Sequence, residues 1–74
     1  MTELDLYRIG LTEVPKELEK LTQLEKLELG HNQLTEVKGL EKLTRLKELW
    51  LVNNQLTKVN GLENLTQLES LFLL

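Results

Sequence analysis

Among the side chains that could do covalent or proton chemistry, the candidates are Asp5 and Glu28 out of twelve acidic residues, the single histidine His31, and the single serine Ser70. No cysteine is present to act as a nucleophile or a thiolate ligand, and His31 has no Ser or Asp arranged around it. General acid–base work by Asp5 and Glu28 needs an enclosed, partly desolvated pocket, and as a metal site the pair supplies too few oxygens. Gly10, Gly30, Gly39 and Gly61 are too far apart to form a phosphate-binding loop. What is left is the chemistry of contact. The three aromatic residues Tyr7, Trp50 and Phe72 offer large apolar area at low rotamer cost, and Asp5 and Glu28 can receive a partner's Lys or Arg or stay solvated. No enzyme activity and no cofactor or metal is expected.

These residues are positioned by a repeat. The segment Leu21–Asn32, LTQLEKLELGHN, returns 22 residues later as Leu43–Asn54, LTRLKELWLVNN, and begins again at Leu65 as LTQLESLFLL. A fixed period of that size marks a solenoid, whose units bury their apolar sides only against their neighbours. Within the unit, Glu25-Lys26-Leu27-Glu28-Leu29 alternates polar and apolar, the period-2 pattern of a strand with one buried face, so Leu27 and Leu29 point inward. Leu40 and Leu43 lie three apart in a helix-like turn, and Gly39 and Gly61 mark places of unusual φ or close approach. One strand per period, returning to the same place, forces the strands to run parallel and adjacent.

The opening Met1–Lys20 is less regular: Leu4, Leu6, Leu11 and Val14 match Leu27, Leu29, Leu34 and Val37 at an offset of 23. The extra residue falls after Val14, and Pro15, with φ preset and no N–H, suits the start of a short helical turn over Lys16–Lys20. Ile9 stands where the later units have Asn32 and Asn54, so this unit is a cap or edge repeat. The domain division is thus one domain over 1–74: an atypical N-terminal repeat 1–20, repeats 21–42 and 43–64, and a half repeat 65–74.

The pattern L-x-x-L-x-L-x-x-N-x-L resembles the leucine-rich repeat. The 22-residue spacing with V-x-G-L-E-x-L-x-x-L is similar to the subclass in the regulatory subunit of type-one protein phosphatase and in bacterial internalins. The resemblance implies an α/β solenoid with a parallel sheet of about four strands on the concave face, short helical turns on the convex face, and protein binding on the concave side. From the residues themselves, leucines 21, 24, 27, 29, 34 and 40 with Val37, and 43, 46, 49, 51, 56 and 62 with Val59, should fill successive core slabs. Asn32 and Asn54 are expected to be buried at the strand exits, where an amide can both donate to and accept from backbone groups.

Repeats 21–42 and 43–64 differ at nine positions, none of them a core leucine. Three are charge reversals, Glu25 to Lys47, Lys26 to Glu48 and Glu36 to Lys58, which set opposite charges side by side across the ladder. The rows Glu3–Lys26–Glu48 and Glu25–Lys47–Glu69 are read as register control, since a slip by one repeat would stack like charges. The outward columns carry the candidate site. One reads Asp5, Glu28, Trp50, Phe72 and the next Tyr7, Gly30, Val52, Leu74, so all three aromatics fall in these two columns. Trp50, Val52, Phe72 and Leu74 should form one apolar patch, with Tyr7 and Glu28 beside it, as a partner-binding surface. His31, beside Arg8 and Asn53, is expected to be exposed and idle.

The net charge of −3 supplies no field to attract nucleic acid or an anionic membrane, and the longest apolar run, Leu71–Leu74, is far too short to span a bilayer. Asn64-Leu65-Thr66 matches a glycosylation acceptor by chance, because Leu65 is a core position. The start lacks a cationic and apolar leader, which with the absence of cysteine favours the cytoplasm. The last strand, ending Leu71-Phe72-Leu73-Leu74, is expected to be an uncapped edge that pairs with another chain. A piece of a longer repeat protein, a designed consensus module and a short chain that homo-oligomerises all fit that end. The function expected is non-catalytic protein–protein interaction through the concave sheet; the alternative is a scaffold that assembles through its C-terminal edge.

Overall fold

A computed structural model describes residues 1–73. Four strands, β1 (Glu3–Asp5), β2 (Lys26–Glu28), β4 (Glu48–Trp50) and β6 (Ser70–Phe72), form one parallel sheet in the order β1-β2-β4-β6. Leu4, Leu27, Leu49 and Leu71 stand in one row of the register, so the offsets of 23 and then 22 read from the sequence are the offsets of the ladder. The backbone pairing runs past the assigned strands: Leu29 N–H donates to the Trp50 carbonyl at 2.8 Å and Leu51 N–H to that of Phe72 at 2.7 Å.

The opposite side is made of tight turns, and the leucines explain them. Leu43 N–H donates to Leu40 O at 3.0 Å and Leu46 N–H to Leu43 O at 3.1 Å, and Leu62, Leu65 and Leu68 repeat the pattern. With three residues per turn, side chains at i and i+3 eclipse, so leucines spaced by three all face the core. The assigned helix is the 3₁₀ segment Lys16–Lys20, which follows Pro15 as expected. Helical character on this side is therefore 3₁₀ turns. Among the described residues no helix is long and apolar enough to cross a membrane.

A second ladder was not foreseen. Strands β3 (Glu36–Val37) and β5 (Lys58–Val59) pair in parallel, with Glu36 opposite Lys58 and Val37 opposite Val59. Thr57 N–H donates to Thr35 O at 2.8 Å and Asn60 N–H to Val37 O at 3.0 Å, continuing it on both sides. Gly39 and Gly61, which follow these strands, have φ of 83° and 75°, so the glycines supply a left-handed turn that L side chains rarely adopt.

Leucines 24, 27, 29, 34, 40, 43, 46, 49 and 51 with Val37 are fully buried, while Leu21, Leu56 and Leu62 are partly so. Val59 departs from its expected place in the slab: it is 40% exposed, against 0% for Val37. Val37 is covered by the following unit, and among the described residues Val59 has no strand stacked beyond it. Equivalence in the repeat fixes direction; burial needs a neighbour on each side.

Asn32 and Asn54 do more than close their own turns. Asn32 Oδ1 accepts from the N–H groups of Ile9 (3.1 Å) and Leu11 (3.0 Å) in the preceding unit, and its Nδ2 donates to the carbonyls of Leu6, Leu29 and Gly30. Asn54 accepts from Leu34 N–H at 3.0 Å and donates to the carbonyls of Leu29 and Leu51. Each amide therefore ties two units together.

The charge rows are in the expected register, but only some close. Lys26 Nζ lies 3.9 Å from Glu48 Oε1 and Lys47 Nζ 3.7 Å from Glu25 Oε1, whereas Glu36, aligned with Lys58, is met by Lys38 at 3.9 Å. The exposure of these groups limits each pair to a few tenths of a kcal/mol, roughly, so they do not hold the fold together.

Two predictions follow from the clamps and the slab. Each buried backbone group orphaned by losing its amide partner costs about 1–3 kcal/mol. Asn32→Ala, which removes the more buried amide with more partners, should lower the urea midpoint more than Asn54→Ala; the reverse order would contradict the clamp. Val37→Ala should cost more than about 1.5 kcal/mol, from two lost methyl groups at full burial. Val59→Ala should cost less than half of that in the same unfolding experiment.

Candidate functional site

Because Leu27 and Leu49 point into the core, their flanking residues Lys26, Glu28, Glu48 and Trp50 point out. The register puts Asp5, Glu28, Trp50 and Phe72 in one line across the four strands. Trp50 and Phe72 stack, with ring centroids 3.8 Å apart and planes 14° from parallel. Neighbouring strands about 4.8 Å apart impose that close, near-parallel arrangement on two rings in the same column. The indole N–H of Trp50 donates to Glu48 Oε1 at 2.7 Å, and the same oxygen faces Lys26 Nζ. Trp50 is thus fixed by a ring on one side and a carboxylate at its polar edge, a contact worth about 0.5–1.5 kcal/mol beyond burial for the aromatic pair.

Tyr7, Gly30 and Val52 form the next column, as expected, held by Arg8 N–H donating to Gly30 O at 3.0 Å and His31 N–H to Val52 O at 2.7 Å. Val52, Leu71, Phe72 and Leu73 line a shallow apolar hollow, joining Val52 to the Trp50–Phe72 pair. Leu74, expected in the same patch, lies outside the described residues. Phe72 is 36% exposed and Trp50 and Val52 are half-buried, so these side chains lie on the sheet face and not in the leucine core. Tyr7, at the other end of its column, is exposed and separated from the patch by Gly30.

The two carboxylates of the acidic half have a local task that sequence reasoning missed. Tyr7 N–H donates to Asp5 Oδ1 at 2.9 Å, and Gly30 N–H to Glu28 Oε1 at 2.6 Å. Each carboxylate caps the amide two residues ahead, a local side-chain-to-backbone bond available to acidic residues near strand ends. Gly30 makes room for this: a Cβ there would lie 2.7 Å from Glu28 Oε1 and 3.2 Å from the Val52 carbonyl.

His31 is not idle. Arg8, His31 and Asn53 occupy equivalent positions at the strand exits, and all three have left-handed φ, of 51°, 56° and 59°. That conformation brings the side chains into a row: the Asn53 amide is 2.7 Å from His31 Nε2, and Arg8 Nη2 is 3.5 Å from Nδ1. The Tyr7 ring lies 4.8 Å from the imidazole centroid, with the Arg8 guanidinium 5.5 Å from the Tyr7 ring centre. The half-buried histidine is engaged by three neighbours. The enrichment of Asn and His among left-handed residues was the available signal, though Arg8 does not share it.

Ser70 sits opposite Glu48 on β6, with β4 between it and β2, so it is not brought to His31. Among the described residues no group of three or more His, Cys, Asp or Glu could hold a metal ion. The arrangement can bind: it offers an aromatic and aliphatic half at β4–β6 and a carboxylate half at β1–β2.

Comparison with known proteins agrees with the geometry. A family model described as leucine rich repeat matches residues 1–56, and one described as leucine rich repeats, two copies, matches residues 44–74. No curated protein matches the chain. The first match alone covers more than half of the sequence, and the parallel ladder with its leucine slabs is the structure such a repeat requires: the chain belongs to the leucine-rich repeat family.

Proposed function

We propose that this chain is a non-catalytic recognition module that takes a protein partner on the outward face of the four-stranded sheet, centred on Trp50 and Phe72. Leucine-rich repeat domains generally mediate protein–protein interaction. The observation that carries the reading is the stacked Trp50–Phe72 pair, held in place outside the core. Neither ring fills a slab that leucine fills elsewhere, and aromatic residues oriented in advance are the usual centres of binding energy. Val52 extends the apolar area, Glu28 borders it beside Trp50, and Tyr7 stands beyond Gly30 on the same face.

A second reading is assembly of copies of the chain through β6. Its support is the exposure of Leu71 and Leu73 together with Val59. β6 also pairs with β4 alone among the described strands, and an edge strand can template a strand of another chain.

The two readings separate by experiment. Binders selected on the wild-type protein from a displayed library of small folded domains should lose about 2 kcal/mol or more on the Trp50→Ala, Phe72→Ala protein. They should keep their affinity for a Glu63→Ala control on the turn side. Binders indifferent to the double substitution would contradict recognition by this face. Sedimentation equilibrium tests the second reading: a stable monomer at high micromolar concentration contradicts it, whereas an oligomer that the double substitution dissociates would replace recognition with assembly.

A further inference from the structure

The outward face changes character along one direction. From β1 to β6 its central column runs Asp5, Glu28, Trp50, Phe72, two carboxylates and then two stacked rings. A hollow lined by Glu3, Leu4, Asp5, Lys26, Glu28 and Trp50 lies on the acidic side, so the indole forms one wall of the carboxylate region. Phe72 covers one face of that indole. Lys26, the hollow's one cation, is directed to Glu48 at 3.9 Å. Asp5 and Glu28 each give one oxygen to a backbone amide, and among the described residues neither has an ion-pair partner within 4.0 Å. An ionised carboxylate has about four acceptor sites, so most of the capacity of both faces solvent.

We propose that the partner segment carries a basic side chain about 10 Å from an apolar or aromatic one, the cation over Asp5 and Glu28 and the apolar group against Trp50 and Phe72. This rests on the sheet face being the docking surface and adds the chemistry that it selects. Charge complementarity favours a cation over any acidic segment, and the indole wall favours arginine over lysine, because a guanidinium can lie against a ring while its N–H groups reach a carboxylate. Two strand spacings separate Glu28 from Phe72, about 10 Å, which an extended chain covers in about three residues. The selected motif is therefore an arginine about three positions from an aromatic or large aliphatic residue.

A random displayed peptide library, selected on the intact protein at low salt, tests this. Enriched peptides should carry that motif and lose affinity as salt rises. Asp5→Asn and Glu28→Gln should each weaken them about twofold to fivefold. Both substitutions keep the oxygen that caps the Tyr7 or Gly30 amide, so an unchanged melting temperature shows that the fold is retained. Trp50→Ala should weaken the same peptides about thirtyfold or more. Peptides without a basic residue, or insensitive to Asp5→Asn, Glu28→Gln and salt, overturn the inference. If Trp50→Ala still weakens those peptides, the docking face stands and only its charge preference falls; if it does not, both fall. Failure to enrich any peptide overturns the inference, as does a dimer abolished by Trp50→Ala, which would put a second copy on this face.

Discussion

The rest of the structure depends on the side-chain amides of Asn32 and Asn54. These units have no cysteine and hence no covalent staple, and each backbone group left unpaired at the strand exits would cost about 1–3 kcal/mol. Asn32 meets that constraint by serving two units at once: it accepts from Ile9 and Leu11 and donates to Leu6, Leu29 and Gly30. Asn54 does the same between the next two units. No buried side-chain nitrogen or oxygen among the described residues is left without a partner. The leucines supply the driving force, and the amides fix the spacing at which one unit follows another.

Once that spacing is fixed, the outward columns become a surface on which residue types can change without disturbing the core. The column of Asp5 and Glu28 uses carboxylates that cap neighbouring amides; the same column at β4 and β6 has Trp50 and Phe72, which lean on each other instead. Glu48, paired with Lys26 across the ladder, orients the indole. The register charges and the candidate binding residues are thus parts of one network.

Much of this was legible in the sequence because the repeat gives each position a known direction. The period-2 alternation around Leu27 and Leu49 located β2 and β4, and the 22-residue offset aligned Trp50 with Glu28 and Phe72. What escaped has physical reasons. The two-residue strands β3 and β5 are too short to show alternation. Val59 occupies the same position in its unit as Val37, yet burial depends on a neighbouring unit and not on position. His31 looked idle because the row it joins is set by left-handed backbone at Arg8, His31 and Asn53, three residue types with no common side-chain chemistry. The capping by Asp5 and Glu28 is a matter of local geometry that composition does not show.

The central claim is that asparagine amides clamp successive units, and amide hydrogen exchange followed by NMR tests it most directly. Ile9 is 57% exposed and Leu11 only partly buried, and the acceptor that both of their backbone amides use is Asn32 Oδ1. With the clamp in place both should exchange as slowly as ladder amides such as that of Leu29, opening only with the fold. Exchange at Ile9 and Leu11 as fast as in an open loop would contradict it.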